Sequence, residues 1–232
     1  MSENPIAVIF DLDGTLVDSA PDLTEALNYV LRRAGRPGMT IPRVRHLVGN
    51  GARAMIAKGF SESGTTPDDE DIEDILQDYL SYYEDNIADQ SIIFPGVKSL
   101  LGELTGRGIP LGLCTNKSIR LARKLMTEIG LAGYFPVMTG GDSFDYQKPD
   151  PRHLTETLAL MNCPASGAVM VGDTANDIIA ARKAGMASIA VSFGYSATAV
   201  TSFNPNVVIN HYRDFTDALS GISQVFQDLP KP

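Results

Sequence analysis

Apolar residues along this chain fall into two kinds of run. Segments 6–10 (IAVIF), 110–115 (PLGLCT), 168–173 (AVMVGD) and 187–193 (ASIAVSF) are short, nearly continuous and aliphatic. Such runs predict strands buried on both faces. Segments 136–141 (PVMTGG) and 206–210 (NVVIN) predict two further, weaker strands. Between these runs, apolar positions recur at helical spacing over 97–107, 119–129, 153–161, 177–184 and 215–226. Strand and helix alternate. This predicts an α/β fold, a doubly wound parallel sheet with helices on both faces.

One region breaks the alternation. From about 21 to 87 the pattern is helical throughout, with amphipathic segments at 23–35 (LTEALNYVLRRAG) and 72–87 (IEDILQDYLSYYEDNI). The acidic stretch 64–75 (GTTPDDEDIEDI) reads as a turn and a solvated helix start, where the helix dipole favours negative charge. An all-helical insertion over 18–93 is therefore expected, with 1–17 and 94–232 forming the α/β core. Segments 17–21 (VDSAP) and 92–97 (IIFPGV) are the expected hinges.

Composition narrows the functional classes. The 232 residues are 44% apolar, enough for a sizeable core in one large domain or a core plus a small inserted one. The net charge is −9 and no basic stripe is visible, which argues against a nucleic-acid partner. No apolar stretch approaches the ~20 residues of a membrane helix, and no basic residue precedes the first apolar run, so no signal peptide is expected. Cys114 and Cys163 match no disulfide framework or zinc spacing, so a reducing cytoplasm is the expected compartment, for a monomer or homodimer. An acidic chain that handles an anion needs a metal ion or a few placed cations.

The candidate chemistry lies at the predicted strand ends, where sites form in open parallel sheets. Asp11, Asp13 and Thr15 follow the first strand, and Thr115 and Asn116 follow the second. Lys148 lies in the KPDP loop after the third, and Gly172, Asp173, Thr174 and Asp177 follow the fourth. Carboxylates beside apolar strands need compensation, and a divalent cation supplies it. Mg²⁺ prefers oxygen ligands and keeps waters and substrate phosphate in its shell. Asp11 and Asp173 are its expected direct ligands, with the Asp13 carbonyl as a backbone ligand and Asp177 binding through water. Asp11 is the expected nucleophile. Asp13 is the expected general acid, then general base. Thr115 Oγ, the Asn116 backbone N–H and Lys148 are the expected phosphate-binding groups. Within the insertion, Gly49 and Gly51 flank Asn50 just before a helix predicted to start near Ala52, with Arg53 in its first turn. That turn is expected to receive an anionic leaving group.

These motifs closely resemble the haloacid dehalogenase superfamily: DLDGT at 11–15, TN at 115–116, Lys148, and GDTAND at 172–177. The resemblance implies a helical cap closing over a Rossmann-like core. Because Asp13 is present, it also implies a phosphatase or phosphomutase and not a dehalogenase. VGNGA (48–52), CTNK (114–117), GGDS (140–143) and GY (194–195) are similar to bacterial phosphoglycolate phosphatases, which implies a small phosphorylated acid, 2-phosphoglycolate, as substrate. A β-phosphoglucomutase-like mutase, a pyrophosphatase or nucleotide or sugar phosphatase of the same superfamily, and a non-catalytic binding module stay open at this point.

Overall fold

The structure is a computed structural model that describes residues 7–64 and 67–228. In chain order, the first elements are β1 (Val8–Phe10), β2 (Val17–Asp18), α1 (Ala20–Arg33), α2 (Ile41–Arg45), α3 (Ala52–Glu62), α4 (Asp69–Asp85) and β3 (Ile92–Ile93). The remainder is α5 (Val97–Gly106), β4 (Leu111–Cys114), α6 (Ile119–Glu128), β5 (Val137–Thr139), α7 (Pro151–Leu160), β6 (Val169–Gly172), α8 (Ala175–Lys183), β7 (Ala187–Val191), β8 (Val207–Ile209) and α9 (Phe215–Asp228).

Six strands form one parallel sheet in the order β5-β4-β1-β6-β7-β8. After β1 the chain builds β4 and β5 on one side, then returns to β6 on the other. The order therefore reverses beside β1, the place where an open α/β sheet leaves a crevice at its carboxyl edge. Alternation along β1 serves both faces. Val8 and Phe10 join the core under α5, α6 and α9, and Ile9 joins the one under α7 and α8. Phe10 stacks on Phe215 at 5.9 Å and meets Phe135 edge-on at 6.1 Å. All six expected strands are present, although Ile6 of the first lies outside the described residues. Among the described residues, no helix is long and apolar enough to cross a membrane.

The helical segment between β2 and β3 carries its apolar stripe inward. Leu23, Leu27 and Leu31 of α1, Ile56 and Phe60 of α3, and Tyr79 and Tyr83 of α4 are all buried. Its N-terminal signals work as expected: Asp68 caps α4 by accepting from Asp71 N at 2.9 Å. The two expected hinges hold a feature that periodicity over so few residues does not reveal. They pair as a short antiparallel ribbon, Val17 with Ile93 and Asp18 with Ile92, because the chain passes there twice in opposite directions. Asp22 fastens the junction. Its buried carboxylate accepts from Gln90 N, Ser91 N and Ser91 Oγ, the last two at 2.8 and 2.6 Å.

Asp22→Ala should leave those donors unpaired and cost about 3 kcal/mol of stability. Asp22→Asn keeps one acceptor and should cost less. Urea denaturation measures both, and a loss below about 0.5 kcal/mol for the alanine variant would show that Asp22 does not fasten the hinge.

Candidate active site

Parallel register brings the strand ends together. Phe10 lies opposite Leu113 on β4 and Val171 on β6. The next residues of all three strands therefore meet at one edge, and Asp11 N donates to Val171 O at 2.9 Å. Oxygens of Asp11, Asp173 and Asp177 lie within 4.8 Å of one another, all three buried. The loop after β5 delivers Lys148. Asp150 caps α7 by accepting from Arg152 N, and Pro151 occupies the first helical position. Lys148 is 2% exposed. Its Nζ donates to Cys114 O at 2.7 Å and to Asp177 Oδ1 at 2.6 Å. It also stands 3.0 Å from Asp11 Oδ1, but without hydrogen-bond alignment, so that oxygen is buried and lacks a hydrogen-bond partner.

Each remaining carboxylate is held by its neighbours. Asp173 Oδ1 accepts from Thr15 Oγ1 at 2.8 Å, and Oδ2 accepts from Tyr195 N at 2.6 Å. Asp177 sits at the third position of α8 and completes a capping box, its Oδ2 accepting from Thr174 N and Oγ1. The backbone is glycine where these side chains press against it. A Cβ on Gly172 would overlap the Asp177 side chain, and one on Gly194 would overlap Asp173. Burial raises Asp11 from the ordinary carboxylate value to about 6, with Lys148 opposing the rise and Asp177 adding to it. Asp173 is raised well above the ordinary carboxylate value, by burial first and then by Asp177 and Asp11. For Lys148, burial alone would lower the value, but Asp11 and Asp177 outweigh it and hold the ammonium charged.

Asp13 faces elsewhere. Both its oxygens accept from Lys117 Nζ at 3.0 Å, and Oδ1 also accepts from Ser19 Oγ. Thr115 Oγ1 accepts from Lys117 N at 3.2 Å. Asn116 Nδ2 bridges to the Lys148 carbonyl at 2.8 Å and to the Gly49 carbonyl at 2.9 Å. Asn176 adds a second tie, donating to Gly49 O and Asn50 Oδ1. The glycine turn of the helical segment is thus latched over the strand ends. Gly49 and Gly51 take φ values of 113° and 85°, which only glycine adopts freely, and α3 starts at Ala52 as expected. Arg53 differs from a free charge at this turn, because it is ion-paired with Glu73 of α4. Between the two layers lies a cavity of about 280 Å³. Asp11, Asp13, Thr115, Asn116, Lys117, Lys148 and Asp177 line it from the core, and Gly49, Gly51 and Arg53 from the insertion. Asp173 and Asn50 are not on its wall.

Residues 8–191 match the family model for haloacid dehalogenase-like hydrolases. The chain belongs to this family. A phosphoglycolate phosphatase of Agrobacterium fabrum is 39% identical over 221 residues, covering 94% of this chain and 95% of its own. One from Caulobacter vibrioides is 39% identical over 215 residues, covering 93% and 91%. A crystal structure of a predicted phosphoglycolate phosphatase from Haemophilus somnus 129pt superposes with a TM-score of 0.87 at 26% identity, covering 94% of this chain and 99% of that one. The protein is accordingly an enzyme, a phosphatase of the haloacid dehalogenase-like family, as its sequence led us to expect.

The haloacid dehalogenase-like site contains groups that motif reading passed over. Lys117 carried no assigned role, although it directly follows Asn116 in a strand-end loop. Tyr195 stood out only as half of a GY pair, yet it contacts Asp173. Tyr79 and Tyr83, within the amphipathic segment 72–87, carried no assigned role, and both line the cavity. The carboxylate set fits a hard divalent cation: all donors are oxygen, all are buried, and one oxygen of Asp11 lacks a hydrogen-bond partner.

The raised carboxylates give a sign to the pH dependence. A folded-state value above the unfolded one stabilises the fold at acid pH, and that contribution is lost as pH rises through the folded value. For Asp11 the window runs from the ordinary carboxylate value to about 6. A bound cation favours the ionised carboxylates and opposes this loss. Mg²⁺ should therefore raise Tm more at about pH 8 than at about pH 5. Gly194→Ala, which displaces Asp173, should abolish most of that rise. Thermal melts with and without Mg²⁺ check both, and an equal rise at the two pH values would remove this cluster as the metal site.

Proposed function

We propose that this phosphatase hydrolyses 2-phosphoglycolate to glycolate and phosphate, through an aspartyl-phosphate on Asp11 and with Mg²⁺ as cofactor. The observation that carries the reading is the buried set Asp11, Asp173, Asp177 and Lys148, of which Asp11, Asp177 and Lys148 line the cavity. The names of the relatives point to the substrate. Residues 18–93 act as the cap and read the leaving group, with Gly49, Asn50 and Gly51 closing the site and Arg53 bracing α3 against α4.

Asp11 Oδ forms a bond to phosphorus as the ester bond breaks. The glycolate oxygen takes a proton from Asp13. A water then gives a proton to Asp13 and attacks phosphorus, which releases phosphate and restores Asp11. For that role Asp13 turns from Lys117 toward the ester oxygen. Lys148, Thr115 and the Asn116 N–H hold phosphoryl oxygens, so catalysis is mostly positioning and charge neutralisation. Asp11, Asp173 and the Asp13 carbonyl, with Asp177 through water, would hold Mg²⁺, which would supply further neutralisation of the phosphoryl charge. Apolar side chains dominate the rest of the wall, including Leu23, Val48, Met55, Leu76 and Leu80.

Phosphate release from 2-phosphoglycolate, glucose 1-phosphate and p-nitrophenyl phosphate tests the proposal. With Mg²⁺, kcat/KM should be highest for 2-phosphoglycolate, and EDTA should abolish turnover. Asp11→Asn should lower kcat about a thousandfold or more. A preference for glucose 1-phosphate, or residual Asp11→Asn turnover above a few per cent, would overturn the reading.

A further inference from the structure

Tyr79 and Tyr83 lie one turn apart on α4, so they share a face. Their rings are 6.0 Å apart and nearly parallel. Each is 1% exposed, yet neither hydroxyl has a hydrogen-bond partner. Buried hydroxyls are seldom left unpaired, because desolvation is not recovered. Phenylalanine would serve the packing alone. Both residues line the cavity that Asp11 and Lys148 head, and Lys117 Nζ stands 4.6 Å above the Tyr83 ring.

We propose that the Tyr79 and Tyr83 hydroxyls, together with the Lys117 ammonium, form the seat for the carboxylate of the leaving group. The seat rests on the phosphoglycolate reading and extends it to named residues. A carboxylate needs donors, and two phenols and an ammonium are donors. Leu23, Met55, Leu76 and Leu80 offer none, Asn176 is committed to Gly49 and Asn50, and Arg53 is engaged by Glu73. Burial keeps both phenols protonated, and the nearby Asp13 works in the same direction on each. They therefore remain donors at neutral pH. The Tyr83 ring also holds Lys117 in place, and its ammonium, paired with Asp13, lines the cavity. Reading by neutral donors in an apolar wall gives discrimination, because an ester without the carboxylate leaves the hydroxyls unpaired.

Steady-state kinetics on 2-phosphoglycolate and ethyl phosphate, its counterpart lacking the carboxylate, tests the seat with Tyr79→Phe and Tyr83→Phe. Phenylalanine keeps the ring, and with it the packing and the contact to Lys117. Each variant should raise KM for 2-phosphoglycolate about tenfold, with kcat little changed and ethyl phosphate within about twofold. Thermal melts should show both variants at least as stable as the parent, since an unpaired buried hydroxyl is removed. Two results overturn the seat alone: a parent that prefers 2-phosphoglycolate with variants that keep its KM, or variants that lose stability because the hydroxyls serve the fold. A parent that prefers ethyl phosphate overturns the substrate reading as well, and the seat with it.

Discussion

The Lys148 ammonium among buried carboxylates is the interaction on which the rest of this site depends. Three acidic side chains converge at one sheet edge, and a single lysine lies within reach of two of them. Without a cation there, three charges would be desolvated at close range, and removing the partner of a buried charge is among the costliest changes a protein can suffer. The lysine is not merely near. The Cys114 carbonyl at the end of β4 accepts from it, and Asp177, itself locked by the α8 capping box, accepts from it as well. The same contacts leave Asp11 Oδ1 beside the ammonium at 3.0 Å but without a hydrogen bond.

The sheet order produces this convergence. β1 lies between β4 and β6, so its last residue faces the ends of two strands that are far away in sequence. Glycines at 172 and 194 leave the space that Asp177 and Asp173 occupy. Larger residues there would displace a carboxylate.

Core and helical segment share more than a boundary. Tyr195 N donates to Asp173, while Tyr195 Oη donates to Asp18 of the hinge ribbon and accepts from Ala20 N at the start of α1. Asn116 and Asn176 hold the Gly49 carbonyl over the strand ends. Contacts to the carboxylate cluster and contacts to the hinge thus pass through the same few residues.

The sequence by itself determined the strands, the helices, the alternation that yields a parallel sheet, and the polar residue at each strand end. These are local features. A buried strand needs an unbroken apolar run, and a helix needs its period and caps, so both are visible within about ten residues. That is why the sequence places Asp11, Thr115 and Asp173 at strand ends and Lys148 in the loop that follows β5. Tertiary structure alone decided the direction and pairing of side chains. It turned Asp13 toward Lys117, tied Arg53 to Glu73 and paired the two hinges as a ribbon. It also set two tyrosines of an ordinary amphipathic helix, with hydroxyls left without hydrogen-bond partners, into the cavity wall. The partners in these contacts are separated in sequence by 104 residues for Lys117 and Asp13, and by 67 for Asn116 and Gly49. No local pattern encodes such pairs, because each depends on where the folded chain returns and on which charges must compensate one another there.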